Sequence, residues 1–283
     1  MRLFWAWAAL AALATAFAPL NASAIPTSAE YAAASASEKR GEEMFAYDQA
    51  AWHATDRVQE DMRRRGVSLD ALKGQGMQGY IVEPGDGGTL IATFYGEIKG
   101  QRFAIARYTV TGSTVTGGGF IEVDGVKGLS LLAQRMIDSR QKAVEAMHKP
   151  DHELCSQSPP NTLVLPPRGD DGALPVYILT STTESDTYPA GGHYRFDFDS
   201  NGKLIGERRF MKTCFNLDYR PKDGIRPEML FLSHLLDSQP TEVHAFVSRN
   251  VPFQLVIVTM PNRSMWRVGN GHIEYVSDVP DKN

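Results

Sequence analysis

Apolar residues recur at helical spacing in two stretches of the chain and at strand spacing through most of the rest. From about Gly41 to Arg65, Met44, Ala51, Thr55, Val58 and Met62 fall at three- and four-residue steps or their sums, which predicts an amphipathic helix. Gly66 supplies its stop, and Arg63, Arg64 and Arg65 sit where a helix carries its negative dipole end. A solvated helix terminus explains this basic run better than a binding patch. Residues 25–40 are rich in Ala, Ser and Glu without a bulky stripe and predict a tether or a fraying helix start. A second helix is predicted from Leu129 to His148, carrying Leu129, Leu132, Met136, Ala143 and Met147 and stopped by Pro150.

Between the two helices lie four strand-like runs, Gly79–Val82, Thr89–Ile98, Arg102–Val110 and Thr114–Val123. Their separators are rich in Gly and Pro and short enough to favour an antiparallel meander. Gly117-Gly118-Gly119 lacks the Lys-Ser/Thr and the helix that a phosphate loop needs, so a turn or bulge is expected there. Beyond a boundary at residues 150–161, further strands are predicted at Thr162–Leu165, Val176–Ser181, His193–Asp199, Lys203–Met211, Met229–Leu236, Glu242–Ser248, Phe253–Met260, Met265–Val268 and His272–Val276. The pattern predicts an α+β fold. Two helices pack on an antiparallel β-meander (25–150), followed by a larger β-rich region with one disulfide (151–283). Whether the two regions share a core is left open by the pattern.

The first 24 residues change the picture. Arg2, the apolar run Leu3–Leu20 and the small-residue ending Asn21-Ala22-Ser23-Ala24 read as a secretory signal peptide, with the mature chain starting at Ile25. Pro19 and the missing charged flank argue against a permanent span. The expected location is periplasmic or secreted. Lys and Arg total 29 against 33 Asp and Glu, for a formal net charge of −4, and loss of Arg2 with the leader takes it one unit lower. A mildly acidic surface of mixed sign offers nothing to nucleic acid or anionic lipid. Outside the cytoplasm the two cysteines, Cys155 and Cys214, predict one disulfide. It would close a loop of about 60 residues and contribute roughly 4 kcal/mol in the chain-entropy view.

Three groups of residues invite a chemical reading. Asp48 falls in the apolar stripe of the first helix and Arg140 in that of the second. An unpaired buried charge is costly, so a structural Asp48–Arg140 ion pair is predicted where the helices meet. Next, Asp237–Thr241 has the composition of a hairpin loop. In that register His234 and His244 lie opposite each other with Glu242 on the same face, a ligand set for zinc with an open position. Finally, Asp197-Phe198-Asp199-Ser200-Asn201-Gly202 begins like a calcium loop, but its flanks alternate as strands, and a hairpin turning at Asn201-Gly202 accounts for it.

No nucleophile elbow is present, and Ser139-Arg140-Gln141-Lys142 has Ser-x-x-Lys spacing without a Lys-Thr-Gly partner. The sequence therefore points to an exported, non-enzymatic protein of the cell envelope that binds an unidentified partner or ligand without a cofactor. The alternative is a metal-dependent hydrolase using zinc held by His234, His244 and Glu242.

Overall fold

The computed structural model describes residues 25–74, 76–121, 128–169 and 172–279. The signal-peptide reading of residues 1–24 and the end of the strand predicted to reach Val123 lie outside them. The first helix, α1 (Ser28–Arg65), starts thirteen residues earlier than its apolar stripe announces. Thr27 caps it: the Glu30 N–H donates to the Thr27 hydroxyl, and the Thr27 N–H donates to the Glu30 carboxylate. Gly66 ends it in the left-handed conformation. The early turns need only small residues because they pass closely over other elements. A Cβ on Gly41 would stand 2.5 Å from the Ala245 Cβ.

A short helix, α2 (Leu69–Gly74), leads into the meander β1 (Met77–Pro84), β2 (Leu90–Ile98), β3 (Gln101–Thr111) and β4 (Thr114–Phe120), paired antiparallel in chain order. Strand alternation divides its side chains between two cores. Val82, Phe94, Ala106 and Tyr108 face α1. Ile81, Tyr95 and Ala104 face the helix α3 (Leu131–Ala146). On its other side α3 meets a second antiparallel sheet, ordered β5-β6-β8-β9, through Val176, Ile178 and Phe196. The strands are β5 (Asn161–Val164), β6 (Leu174–Leu179), β8 (Tyr194–Phe198) and β9 (Leu204–Arg209). Two short strands, β7 (Thr187–Pro189) and β10 (Asn216–Asp218), pair beside it.

The remaining strands are β11 (Met229–His234), β12 (Gln254–Thr259), β13 (Ser264–Gly269) and β14 (His272–Asp278). Residues Glu242–Ser248, expected as a strand, lie in the helix α4 (Glu242–Asn250). The run Val243–Val247 is buried almost throughout, and a short apolar run buried on all sides carries no period that separates helix from strand. The consequence is topological. With a helix between them, β11 and β12 pair parallel, and only the β12-β13-β14 steps are antiparallel.

One cluster of buried side chains runs from Met44, Ala50 and Val58 of α1 through Phe94 and Tyr108 to Tyr177, Phe246, Ile257 and Trp266. The region 25–150 and the region 151–283 thus share a core. Cys155 and Cys214 are joined by a disulfide. No helix among the described residues is long and apolar enough to cross a membrane.

Candidate functional site

Asp48, Trp52 and Thr55 follow one another at helical steps along one face of α1, with Gln49 beside them. They line a cleft of about 730 Å³. Its other walls are Tyr80 of the edge strand β1, the connection from Thr180 to Tyr188 that ends β6 and enters β7, Tyr219, and Phe246 and Asn250 of α4. Trp52 is 58% exposed at this cleft and stacks on His53.

The wall formed by residues 180–188 is anchored from behind. The Thr180 N–H donates to Nδ1 of His193 (3.2 Å), and the Thr180 hydroxyl donates to the Gly192 carbonyl (3.0 Å). The Cys155 N–H in turn donates to the Thr180 hydroxyl. Gly192 has φ +71° and no room for a side chain: a Cβ would meet Thr180 Oγ1 at 2.4 Å and the Cys155 nitrogen at 2.7 Å. His193 is fully buried behind this wall.

Asp48 has no ion-pair partner among the described residues. The side-chain amide of Gln49, at 3.5 Å, is the group that reaches its carboxylate. Burial pushes its pKa up to about 6, with the Gln49 contact opposing. Burial also raises the hydroxyl pKa values of Tyr80 and Tyr188, and the Asp48 carboxylate raises both further. No side chain or backbone group among the described residues hydrogen-bonds the hydroxyls of Tyr80, Tyr188 or Tyr219. The carboxylate and the phenols are thus half-buried polar groups of this cleft with one weak contact or none in the protein.

The expected Asp48–Arg140 pair gives way to different partners. Arg140 donates to Thr162 Oγ1 (2.6 Å) and to the Tyr95 hydroxyl (3.2 Å). The reason is the meander itself: α1 packs on one face of it and α3 on the other, so the two apolar stripes never meet. Tyr80 senses both charges at the sheet edge, Asp48 raising and Arg140 lowering its pKa.

His234 and His244 do come together, by a route other than a hairpin. Their ring centroids are 4.7 Å apart at 86°. The Thr241 N–H donates to Nδ1 of His244 at the start of α4, and burial holds that imidazole well below its ordinary pKa. Nε2 of His234 meets Asp237 at 2.8 Å, and Asp237 also takes Arg208 at 2.9 Å. The carboxylate is already balanced by a guanidinium. Glu242 leaves the pair: the helix turns it to Arg195 (2.6 Å) and Tyr177 (3.3 Å) on the second sheet. Among the described residues no group of three or more His, Cys, Asp or Glu side chains is placed to hold a metal ion. Asp199 accepts from the backbone N–H groups of Asn201 and Lys203, closing the β8–β9 hairpin.

A second cavity of about 550 Å³ lies where α4 ends, lined by Glu228, Val251, Phe253, Gln254 and Asn270. It offers a single carboxylate and no convergence of unused groups. No family model, curated protein or solved structure matches this chain.

The sequence signal for the cleft was Asp48 itself, a charge in an apolar stripe. Tyr188 and the loop before it gave none, because β7 is three residues long and pairs only with an equally short strand.

Proposed function

We propose that this chain is an exported protein of the cell envelope, periplasmic or secreted, that binds a small ligand in the cleft between α1, β1 and the residue 180–188 wall and performs no chemistry on it. The observation that carries the reading is a group of half-buried polar atoms there with one weak contact or none: the Asp48 carboxylate and the hydroxyls of Tyr80, Tyr188 and Tyr219. Pockets for small molecules combine apolar and aromatic lining with a few converging polar groups, at volumes of roughly 300–1,000 Å³. The aromatic rings, Leu179 and Phe246 supply the first part and these oxygens the second. The leader-like first 24 residues supply the export half of the proposal.

The test has two arms. N-terminal mass spectrometry of protein recovered from a cell-envelope or culture-medium fraction is expected to find Ile25 first. Thermal-shift screening of small polar metabolites against the mature chain is expected to return compounds that raise Tm, with the rise reduced in Tyr188→Phe and Tyr80→Phe. A chain retained in the cytoplasm with residues 1–24 attached overturns the export half. Compounds that stabilise wild type and both variants alike overturn the cleft.

A further inference from the structure

Among the described residues three carboxylates line the cleft, from Asp48, Glu184 and Asp186, and no Lys or Arg does. Asp186 is taken by Arg226 at 2.6 Å. Arg140, the guanidinium sensed from across β1, is spent on Thr162 and Tyr95. Asp48, the deepest of the three in the fold, keeps a single weak contact with a neighbouring amide. An anionic ligand would face all three carboxylates. A neutral one would leave the Asp48 charge half-desolvated and unpaired.

The aromatic lining points the same way. Trp52 stands one helical turn from Asp48, and Tyr80 and Tyr188 flank the carboxylate from β1 and β7. Electron-rich ring faces attract organic cations, and they cover the carbon atoms that a metal ion lacks.

We infer that the cleft takes a small organic cation, a protonated amine or quaternary ammonium group, with its charge at Asp48 and its carbon skeleton against Trp52, Tyr80 and Tyr188. The inference rests on the reading of the cleft as the ligand site and names the class of ligand. A lipid headgroup that carries an ammonium also carries a phosphate, which the exposed Glu184 carboxylate would repel. The free cation is the occupant.

The test uses the mature chain and a series matched in size: 2-phenylethylamine, its trimethylammonium counterpart, 2-phenylethanol and 3-phenylpropionate. Shifts of the Trp52 indole N–H, assigned with Trp52→Phe, report binding at the cleft. The two cations are expected to move that signal and the alcohol to bind about tenfold more weakly or worse, the scale of a close charge pair out of bulk water. The carboxylate is expected to leave the signal in place. Asp48→Asn keeps the side chain's shape and is expected to erase the preference for cation over alcohol. Tyr188→Phe, which keeps the charge, is expected to preserve it. Alcohol or carboxylate moving the Trp52 signal as well as the amines do, or a preference that survives in Asp48→Asn, overturns the cation and leaves the ligand site standing. If no probe of any charge moves Trp52, the ligand-site reading and this inference fall together.

Discussion

Thr180 donates its backbone N–H to Nδ1 of His193, and that bond decides the state of the imidazole. With Nδ1 accepting, the proton sits on Nε2, which lies 3.0 Å from the Pro189 carbonyl and donates to it. A second proton would turn Nδ1–H against the Thr180 N–H inside a fully buried site. Burial accordingly pushes the His193 pKa down to about 4, with the Pro189 contact opposing. The unfolded chain takes up this proton near 6.5 and the folded chain only near 4. Stability from His193 is therefore complete above about pH 6.5 and is lost as pH falls towards 4. Between pH 7.5 and 5.0 the loss is about 2 kcal/mol. Urea denaturation of wild type and His193→Gln at both pH values checks this: the variant is expected to be less stable at pH 7.5 and to lose about that much less on acidification. Equal losses would mean that the imidazole is not held neutral.

The disulfide and His193 act on the same piece of chain. Cys155 is tied to Thr180 by its N–H and to Cys214 by its sulfur, and the Ala190 N–H donates to the Phe215 carbonyl beside it. Reducing the bond, or replacing both cysteines with Ser, is expected to cost about 2–5 kcal/mol of global stability. Its local signature is sharper. Amide exchange in residues 180–188 is expected to accelerate more than exchange in β2 and β3, because those strands owe nothing to this anchor. Uniform acceleration throughout the chain would show that the cleft wall is held by something else.

The parts of this fold that the sequence predicts are the ones with a period. The meander, the core of α1, α3 and the β8–β9 hairpin all carry apolar steps or turn residues that local physics reads directly. The failures have physical causes too. Residues 28–40 are helical because a capping box starts them and small residues let α1 pass α4, and neither effect leaves a bulky stripe. Residues 242–250 are buried on nearly every side, so their helix looks like a strand. At the candidate site, Asp48 was visible as a misplaced charge, but its surroundings were not. Those depend on which face of a sheet each helix takes, and on a wall built from two three-residue strands.

Gly41 measures how closely α1 and α4 approach. A Cβ there would lie 2.5 Å from the Ala245 Cβ and 2.9 Å from the Glu242 carbonyl oxygen. In an exposed helix, Gly→Ala would stabilise by up to about 1 kcal/mol. At this crossing the backbone of α4 must move instead, and Gly41→Ala is expected to destabilise by about 1–3 kcal/mol. Chemical denaturation gives the sign. A stabilised Gly41→Ala variant would mean that the two helices stand further apart than described.

Glu242 separates a structural role from a ligand role. It is buried, 2.6 Å from Arg195, and Tyr177 donates to the same oxygen. The carboxylate and Asp197 both hold the Arg195 pKa up against the opposing effect of burial. Glu242→Ala strands that guanidinium and is expected to cost about 3–5 kcal/mol, with Glu242→Gln costing less. The loss is expected to be the same with and without a metal chelator, since the partner is Arg195. A wild-type protein that the chelator weakens to the level of the variant would return Glu242 to a metal site with His234 and His244.

Asp48 offers the reverse case, a charge the fold would be more stable without. Its pKa is pushed up to about 6 from an ordinary 3.8, and burial is the cause. A carboxyl that is harder to ionise folded than unfolded favours the folded state only while protonated. Asp48 therefore withdraws stability as pH rises through 3.8 towards 6, by up to about 3 kcal/mol once fully ionised. Asp48→Asn removes the titration while keeping the shape. It is expected to be near neutral at pH 4 and more stable than wild type at pH 8, by about 1–3 kcal/mol after allowance for partial exposure. A side chain whose removal stabilises is one retained for a purpose other than folding, as expected where a site needs an unpaired charge. The measurement is a pair of urea curves at each pH. An Asn variant that is less stable at pH 8 would reveal that the carboxylate already has a partner in the protein, and the case for a cation in the cleft would fail with it.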